Sequence, residues 1–183
     1  MAIYVSAGHT PKGLRQDPGA VGNGYREADL AMEFRDLVIG HLKNSGAKII
    51  KDQDDERLGD YLKRIQTGNG SVVIEYHFDA AASSTATGTT ALIEAEADRL
   101  DKAFGKELVE ATTLILGIKN RGVLTEKDSH RGSLGLMREE GIICLMEICF
   151  ISNKDDLISY QKNKAVLAKS HAEIILKYEN MIK

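Results

Sequence analysis

The sequence predicts an α/β fold: a single domain built on one mixed, mostly parallel sheet flanked by helices on both faces. Three observations predict it. Short β-rich apolar runs (Ile3-Tyr4-Val5, Val72 to Phe78, Ile142 to Phe150) mark strands. Between them lie longer stretches whose apolar residues recur at helical spacing. The chain has 183 residues with no internal repeat and no linker, which suits one domain, residues 1–183, with a substantial core.

The elements follow in order. The first strand starts almost at the first residue and leads into a Gly-rich loop from Gly8 to Tyr25, which holds Pro11 and Pro18. From Glu27, the apolar residues Leu30, Phe34, Leu37, Val38 and Leu42 define a helix. Asn44-Ser45-Gly46 ends it, with Gly46 suited to a left-handed cap. Ala47 to Ile50 reads as a short strand, and the polar stretch after it holds one short helix around Asp60 to Gln66. Val72 to Phe78 and Thr87 to Ile93 are strands joined by a loop of small residues. Leu100, Phe104, Leu108, Ala111, Ile115 and Ile118 define a long amphipathic helix. The segment from Lys119 to Arg138, rich in glycine and charge, reads as a rim loop before the strand Ile142 to Phe150. Asp155 to Ile182 is the last helix, with Leu157, Ala168, Ala172 and Ile175 on one face.

Composition narrows the function. The formal net charge is −3 and Trp is absent, which argues against a nucleic-acid partner. No apolar run approaches the ~20 residues of a membrane helix, so no membrane insertion is expected. No basic-then-apolar segment opens the chain, which therefore reads as made in the cytoplasm without a signal peptide. Cys144 and Cys149 sit in one apolar strand, five residues apart, where simple alternation points them to opposite faces; both are expected to be free core thiols.

Open α/β sheets bind ligands at the carboxyl ends of their strands. Three strands carry an ionisable side chain there. His9 follows the first strand, sharing the parity of Ile3, Val5 and Ala7. Glu75, His77 and Asp79 share one parity of the Val72 to Phe78 strand. Glu147 stands between Met146 and Ile148, and a carboxylate so embedded must be paired, metal-linked or protonated. Glu27 opens a helix, where the dipole alone favours an acid. Each has an ordinary structural explanation by itself. Taken together, two His and one carboxylate make a catalytic zinc set that leaves a fourth position open, and a second Glu suits the proton transfer such a site needs.

At these residues the chain resembles the zinc-dependent N-acetylmuramoyl-L-alanine amidases of the type 3 family. The first stretch is Ile3-Tyr4-Val5-Ser6-Ala7-Gly8-His9, followed by Asp17-Pro18-Gly19-Ala20 and by Glu27 leading into Leu30. The second is Ile74-Glu75-Tyr76-His77-Phe78-Asp79-Ala80, and the third is Leu145-Met146-Glu147-Ile148-Cys149-Phe150-Ile151-Ser152-Asn153. The resemblance implies Zn2+ on His9, Glu27 and His77, with Glu147 as catalytic acid and base. The implied substrate is peptidoglycan, cut between the lactyl group of muramic acid and the first L-alanine of the stem peptide. Three positions depart from the family pattern: Ser6 replaces the usual Asp, Glu75 the common Ser, and Asp79 the common Asn. Lys127, Arg131 and Arg138 are candidates to meet stem-peptide carboxylates. With no separate wall-binding module, the chain looks like a phage endolysin or an autolysin catalytic domain acting at the wall or in the periplasm; the sequence does not give its oligomeric state, with a monomer favoured. The alternatives are a zinc carboxypeptidase or endopeptidase of the stem peptide, and a non-catalytic peptidoglycan-binding module.

Overall fold

The computed structural model describes residues 2–13, 16–129 and 132–182. Its centre is a six-stranded sheet in the order β4-β1-β5-β8-β6-β7. These strands are β1 (Ala2–Ala7), β4 (Ile49–Lys51), β5 (Ser71–Asp79), β6 (Thr89–Ile93), β7 (Asn120–Thr125) and β8 (Ile142–Phe150). β4, β1, β5 and β8 run parallel; β6 reverses against β8, and β7 follows β6 in parallel. β1, β5 and β8 are nearly continuous apolar runs because both of their faces are covered.

Helices occupy both faces, unequally. α1 (Glu27–Leu42), α3 (Arg99–Leu116) and α4 (Lys154–Met181) share one face, where Phe34, Val38, Phe104, Leu108, Leu167 and Ile175 close on Ile3, Val5, Ile74 and Tyr76. Among the described residues, the opposite face carries only α2 (Leu58–Arg64) and a 3-10 turn (Gly135–Arg138), which pack a smaller core of Tyr4, Tyr61, Val73, Leu136 and Met137. That smaller core leaves the carboxyl-end half of the same face to polar side chains, and the candidate site lies there.

Local chemistry sets the helix ends. Asp98 caps α3 by accepting from the amides of Leu100 (2.6 Å) and Asp101 (3.1 Å), and Gly117, at φ 66°, ends the helix. Asn153 caps α4 through the amides of Asp155 (2.9 Å) and Asp156 (3.1 Å), while Ser152 Oγ accepts from the Ala81 amide (3.1 Å). The Ser-Asn pair of the third stretch thus ties α4 to the loop after β5.

Three features differ from the sequence reading. The loop after β1 contains a small hairpin, β2 (Val21–Gly22) and β3 (Tyr25–Arg26), turned by Asn23 and Gly24, both at positive φ. The segment read as a rim loop contains β7. Cys144 and Cys149, though free as expected, belong to the same three-helix core instead of facing apart. The register of β8 on β5 slips after His77↔Glu147, so that Asp79 next meets Phe150. The extra residue in this bulge resets the alternation before Cys149.

Arg35 and His171 are among the buried polar side chains. The Arg35 guanidinium, fully covered, bonds Asp52 and Asp54 at 2.8 Å each, and Asp52 also accepts from the Ala7 amide (3.3 Å). α1 is thereby fastened to the end of β1. His171 lies in the main core between Thr112 and Tyr76. Thr112 Oγ gives its proton to Leu108 O (2.8 Å), so His171 Nε2 is the donor in the 2.9 Å contact with Thr112. Burial lowers the His171 pKa to about 3. The unfolded imidazole takes up a proton near ~6.5 while the folded one does not. His171 therefore costs stability progressively as pH falls from about 6.5 to about 3. Denaturant unfolding across that range is expected to show a shallower acid decline in His171→Gln than in the parent, even though that variant is less stable overall.

Candidate active site

β1 and β5 are neighbours whose onward connections leave in opposite directions, which opens a crevice at their carboxyl ends. Strict alternation would carry His9 toward the three-helix core with Ala7. The strand instead stops at Ala7, and His9 adopts a left-handed backbone (φ 68°) that redirects it to the other face. His77 reaches that face by ordinary alternation on β5. Glu27 arrives from the first turn of α1, where its carboxylate also suits the helix dipole.

The three meet as the sequence implied. One donor atom from each of His9, Glu27 and His77 lies within 4.8 Å of the other two. Glu27 Oε1 is 2.8 Å from His77 Nδ1 and accepts from the Phe78 amide (3.1 Å); Oε2 accepts from the Ala20 amide (2.9 Å). His9 Nε2, a buried atom, faces Glu27 Oε2 at 3.1 Å and makes no other polar contact. Two imidazoles and a carboxylate whose donor atoms converge fit a zinc-type ion and leave a side open.

Each imidazole has a carboxylate behind its other nitrogen. Asp17 Oδ2 is 2.9 Å from His9 Nδ1, and Glu75 Oε1 is 3.1 Å from His77 Nε2. Such partners fix the tautomer of a metal-binding histidine. Burial alone would lower the His77 pKa, but its bonds to Glu27 and Glu75 outweigh burial and raise it to about 10. Glu27 shows the counterpart. Burial would raise its carboxyl, but the two imidazoles hold it well below the usual carboxylate range. The role of Asp17 was missed from sequence, where it stood only as part of Asp-Pro-Gly-Ala. Asp79 accepts from the Ala80 amide (2.8 Å), so it caps the turn, and Glu75 is the departure that touches His77.

Glu147 sits directly opposite His77 in the β5–β8 register and opposite Thr90 in the β6–β8 register, on the same face, 4% exposed. Thr89 Oγ holds its backbone carbonyl (2.9 Å). Its side chain opens into a cavity of about 180 Å³ with Asp79, Thr90 and Arg121; a cavity of about 390 Å³ lies beside His9, Arg57 and His77. Arg121 stacks 5.0 Å over the Phe150 ring. It comes from β7 and was missed because that segment was read as a loop. Of the cations singled out instead, Lys127 pairs with Glu96 (3.5 Å), Arg138 donates to Ser133 Oγ (3.1 Å), and Arg131 lies outside the described residues.

The close packing depends on glycine at two positions. At Gly8, a Cβ would stand 2.1 Å from His77 Cε1. At Gly19 (φ 63°), it would stand 2.5 Å from His9 Cδ2 and 2.6 Å from Glu27 Oε2. Gly8→Ala is therefore expected to displace the His77 ring and, if His77 holds a metal ion, to weaken metal binding by at least ~10-fold, the lower end for disturbing a ligand's support. Chelator competition measures it; an unchanged affinity would mean that His77 is not a ligand.

Comparison with known proteins decides the family. The N-acetylmuramoyl-L-alanine amidase family model matches residues 3–177. The chain belongs to that family. A Neisseria meningitidis structure assigned to the same activity is 32% identical, superposes with a TM-score of 0.79, and is matched over 96% of this chain and 94% of that one. The CwlD amidase of Clostridioides difficile, solved with the GerS lipoprotein, has the same fold at 20% identity (TM-score 0.79, 98% of each chain). The probable autolysin PH of Staphylococcus aureus is 27% identical over 91% of this amidase-family chain, which spans only 36% of the autolysin's length. No helix among the amidase's described residues is long and apolar enough to cross a membrane.

Proposed function

We propose that this domain hydrolyses the amide between N-acetylmuramic acid and the L-alanine of the stem peptide, using one Zn2+ held by His9, Glu27 and His77. Glu147 accepts the proton of the attacking water and passes it to the leaving nitrogen. The observation that supports this reading is the pairing of Glu147 with His77 across β5 and β8, a buried carboxyl one strand away from a proposed ligand, with its side chain lining a neighbouring cavity. Zinc, when bound, supplies Lewis acidity to the scissile carbonyl and lowers the pKa of water toward ~7.

The chemistry also orients the substrate. The group that protonates the leaving nitrogen must lie within hydrogen-bond reach of it. The stem peptide therefore leaves on the Glu147 side, toward Arg121, and the muramyl sugar lies on the His9 and Arg57 side. Asp17 and Glu75 hold the two imidazoles in place. The place of action is the bacterial cell wall, as a lytic enzyme of the endolysin or autolysin kind.

Digestion of purified sacculi, read by mass spectrometry alongside metal analysis of the protein, tests the proposal. The expected products are peptides with a free N-terminal alanine and glycans that keep an intact lactyl acid, released by a protein holding one zinc. Fragments cut within the stem peptide would indicate a peptidase instead, and binding to sacculi without cleavage would indicate a binding module.

A further inference from the structure

Two of the three departures from the family pattern, Ser6 and Glu75, face one another. They are register partners across β1 and β5, at 1% and 2% exposure. Ser6 Oγ donates to Glu75 Oε2 (3.1 Å), and Glu75 Oε1 meets His77 Nε2 (3.1 Å). Both carboxylate oxygens are thus engaged, as a carboxylate at this depth requires. The pattern the sequence resembles has an acid at the first of these places and a hydroxyl at the second. Here the hydroxyl is on β1 and the acid on β5, so one acid and one hydroxyl are kept and their strands are exchanged. Residues two apart on a strand are separated by about 6.6 Å, and the longer side chain of Glu, compared with Asp, spans that distance along β5 to the imidazole.

We propose that Ser6 and Glu75 act as an exchanged hydroxyl–carboxylate pair that positions His77, keeping Nε2 as its protonated nitrogen so that Nδ1 is presented to the metal. Ser6 sets the direction of the carboxylate, and the carboxylate sets the ring. The assignment rests on the zinc site proposed above and is independent of the substrate. The two imidazoles are then backed by two different devices, Asp17 from a loop for His9 and Glu75 from the sheet for His77.

The test is zinc affinity, measured by competition with a chelator of known affinity, together with 15N chemical shifts of the His77 ring in the zinc-loaded protein. Glu75→Gln keeps size and an acceptor but loses the charge, and is expected to bind zinc about 10–100-fold more weakly, the usual cost of losing a histidine's carboxylate partner. Glu75→Ser should be at least as weak. Ser6→Asp combined with Glu75→Ser, which restores the acid to β1, should recover most of that loss. The 15N shifts should show Nε2 protonated and Nδ1 bound to metal in the parent. Parent-like affinity in Glu75→Gln, a double variant no tighter than Glu75→Ser, or metal on Nε2 would each overturn the proposal. A parent protein that binds no zinc would instead remove the metal reading itself.

Discussion

Glu147→Gln is expected to abolish most of the hydrolysis and leave the metal in place. The substitution keeps the side chain's shape in a fully packed strand, so folding and zinc content should match the parent. The amide of Gln can neither accept the water's proton nor deliver it to nitrogen. The rate should fall at least ~100-fold, the lower end for removing a general acid–base group. Turnover of a soluble muramyl peptide, measured on protein of verified zinc content, reads this directly. Turnover close to the parent's would assign the proton transfer to another residue. Because Glu147 pairs with His77 and is not among the three converging donors, loss of zinc in the same variant would contradict the division of roles.

Glu27→Gln should act on the metal itself. Its carboxylate is the one negative charge in the set, and it also accepts from the amides of Ala20 and Phe78. An amide NH2 placed there points a donor at another donor. Zinc affinity is expected to fall by more than the ~100-fold that marks the upper end for outer partners, with activity partly restored by excess zinc. The pH dependence gives a second readout. In the metal-free protein the Glu27 and Glu75 contacts raise His77, against burial, to about 10, so zinc must displace a proton and parent affinity should climb with pH through neutrality. Loss of the Glu27 charge should make that climb shallower. The same raised value stabilises the metal-free fold. Its contribution is complete below the unfolded value near ~6.5 and is lost as pH rises through about 10. Affinity in Glu27→Gln that matches the parent's at every pH would exclude Glu27 as a ligand.

Much of this molecule was legible before any coordinates. β1, β5 and β8 announce themselves as apolar runs because both their faces are covered, and α1 and α3 by apolar spacing along one side. His9, Glu27 and His77 converge, and all three stand in the motifs the sequence singles out, yet the path by which His9 arrives is not visible there. Alternation sends it toward the core, and only the left-handed turn at φ 68° brings it back. The bulge in β8 was hidden for a similar reason, since nothing in Ile148-Cys149 states that two residues will oppose one. β7 escaped because an edge strand needs little apolar content, and its Arg and Gly read as loop. The Asn23-Gly24 turn was a readable hairpin signal that went unused. Full burial of Arg35 depends on carboxylates 17 and 19 residues away in sequence, and no local pattern reports them.

The shared rung of His77 and Glu147 reaches beyond the reaction. Adjacent strands are held about 4.8 Å apart by the ladder itself, so the spacing between the proposed metal ligand and the proposed proton carrier is a property of the sheet. No hinge has to swing and no domain has to shut to bring these two groups together. Amides of central strands are expected to be among the slowest to exchange with solvent. Under the proposed function, discrimination between cell walls is then left to the surrounding loops. These can lengthen, shorten or change charge over evolutionary time without disturbing the spacing of His77 and Glu147.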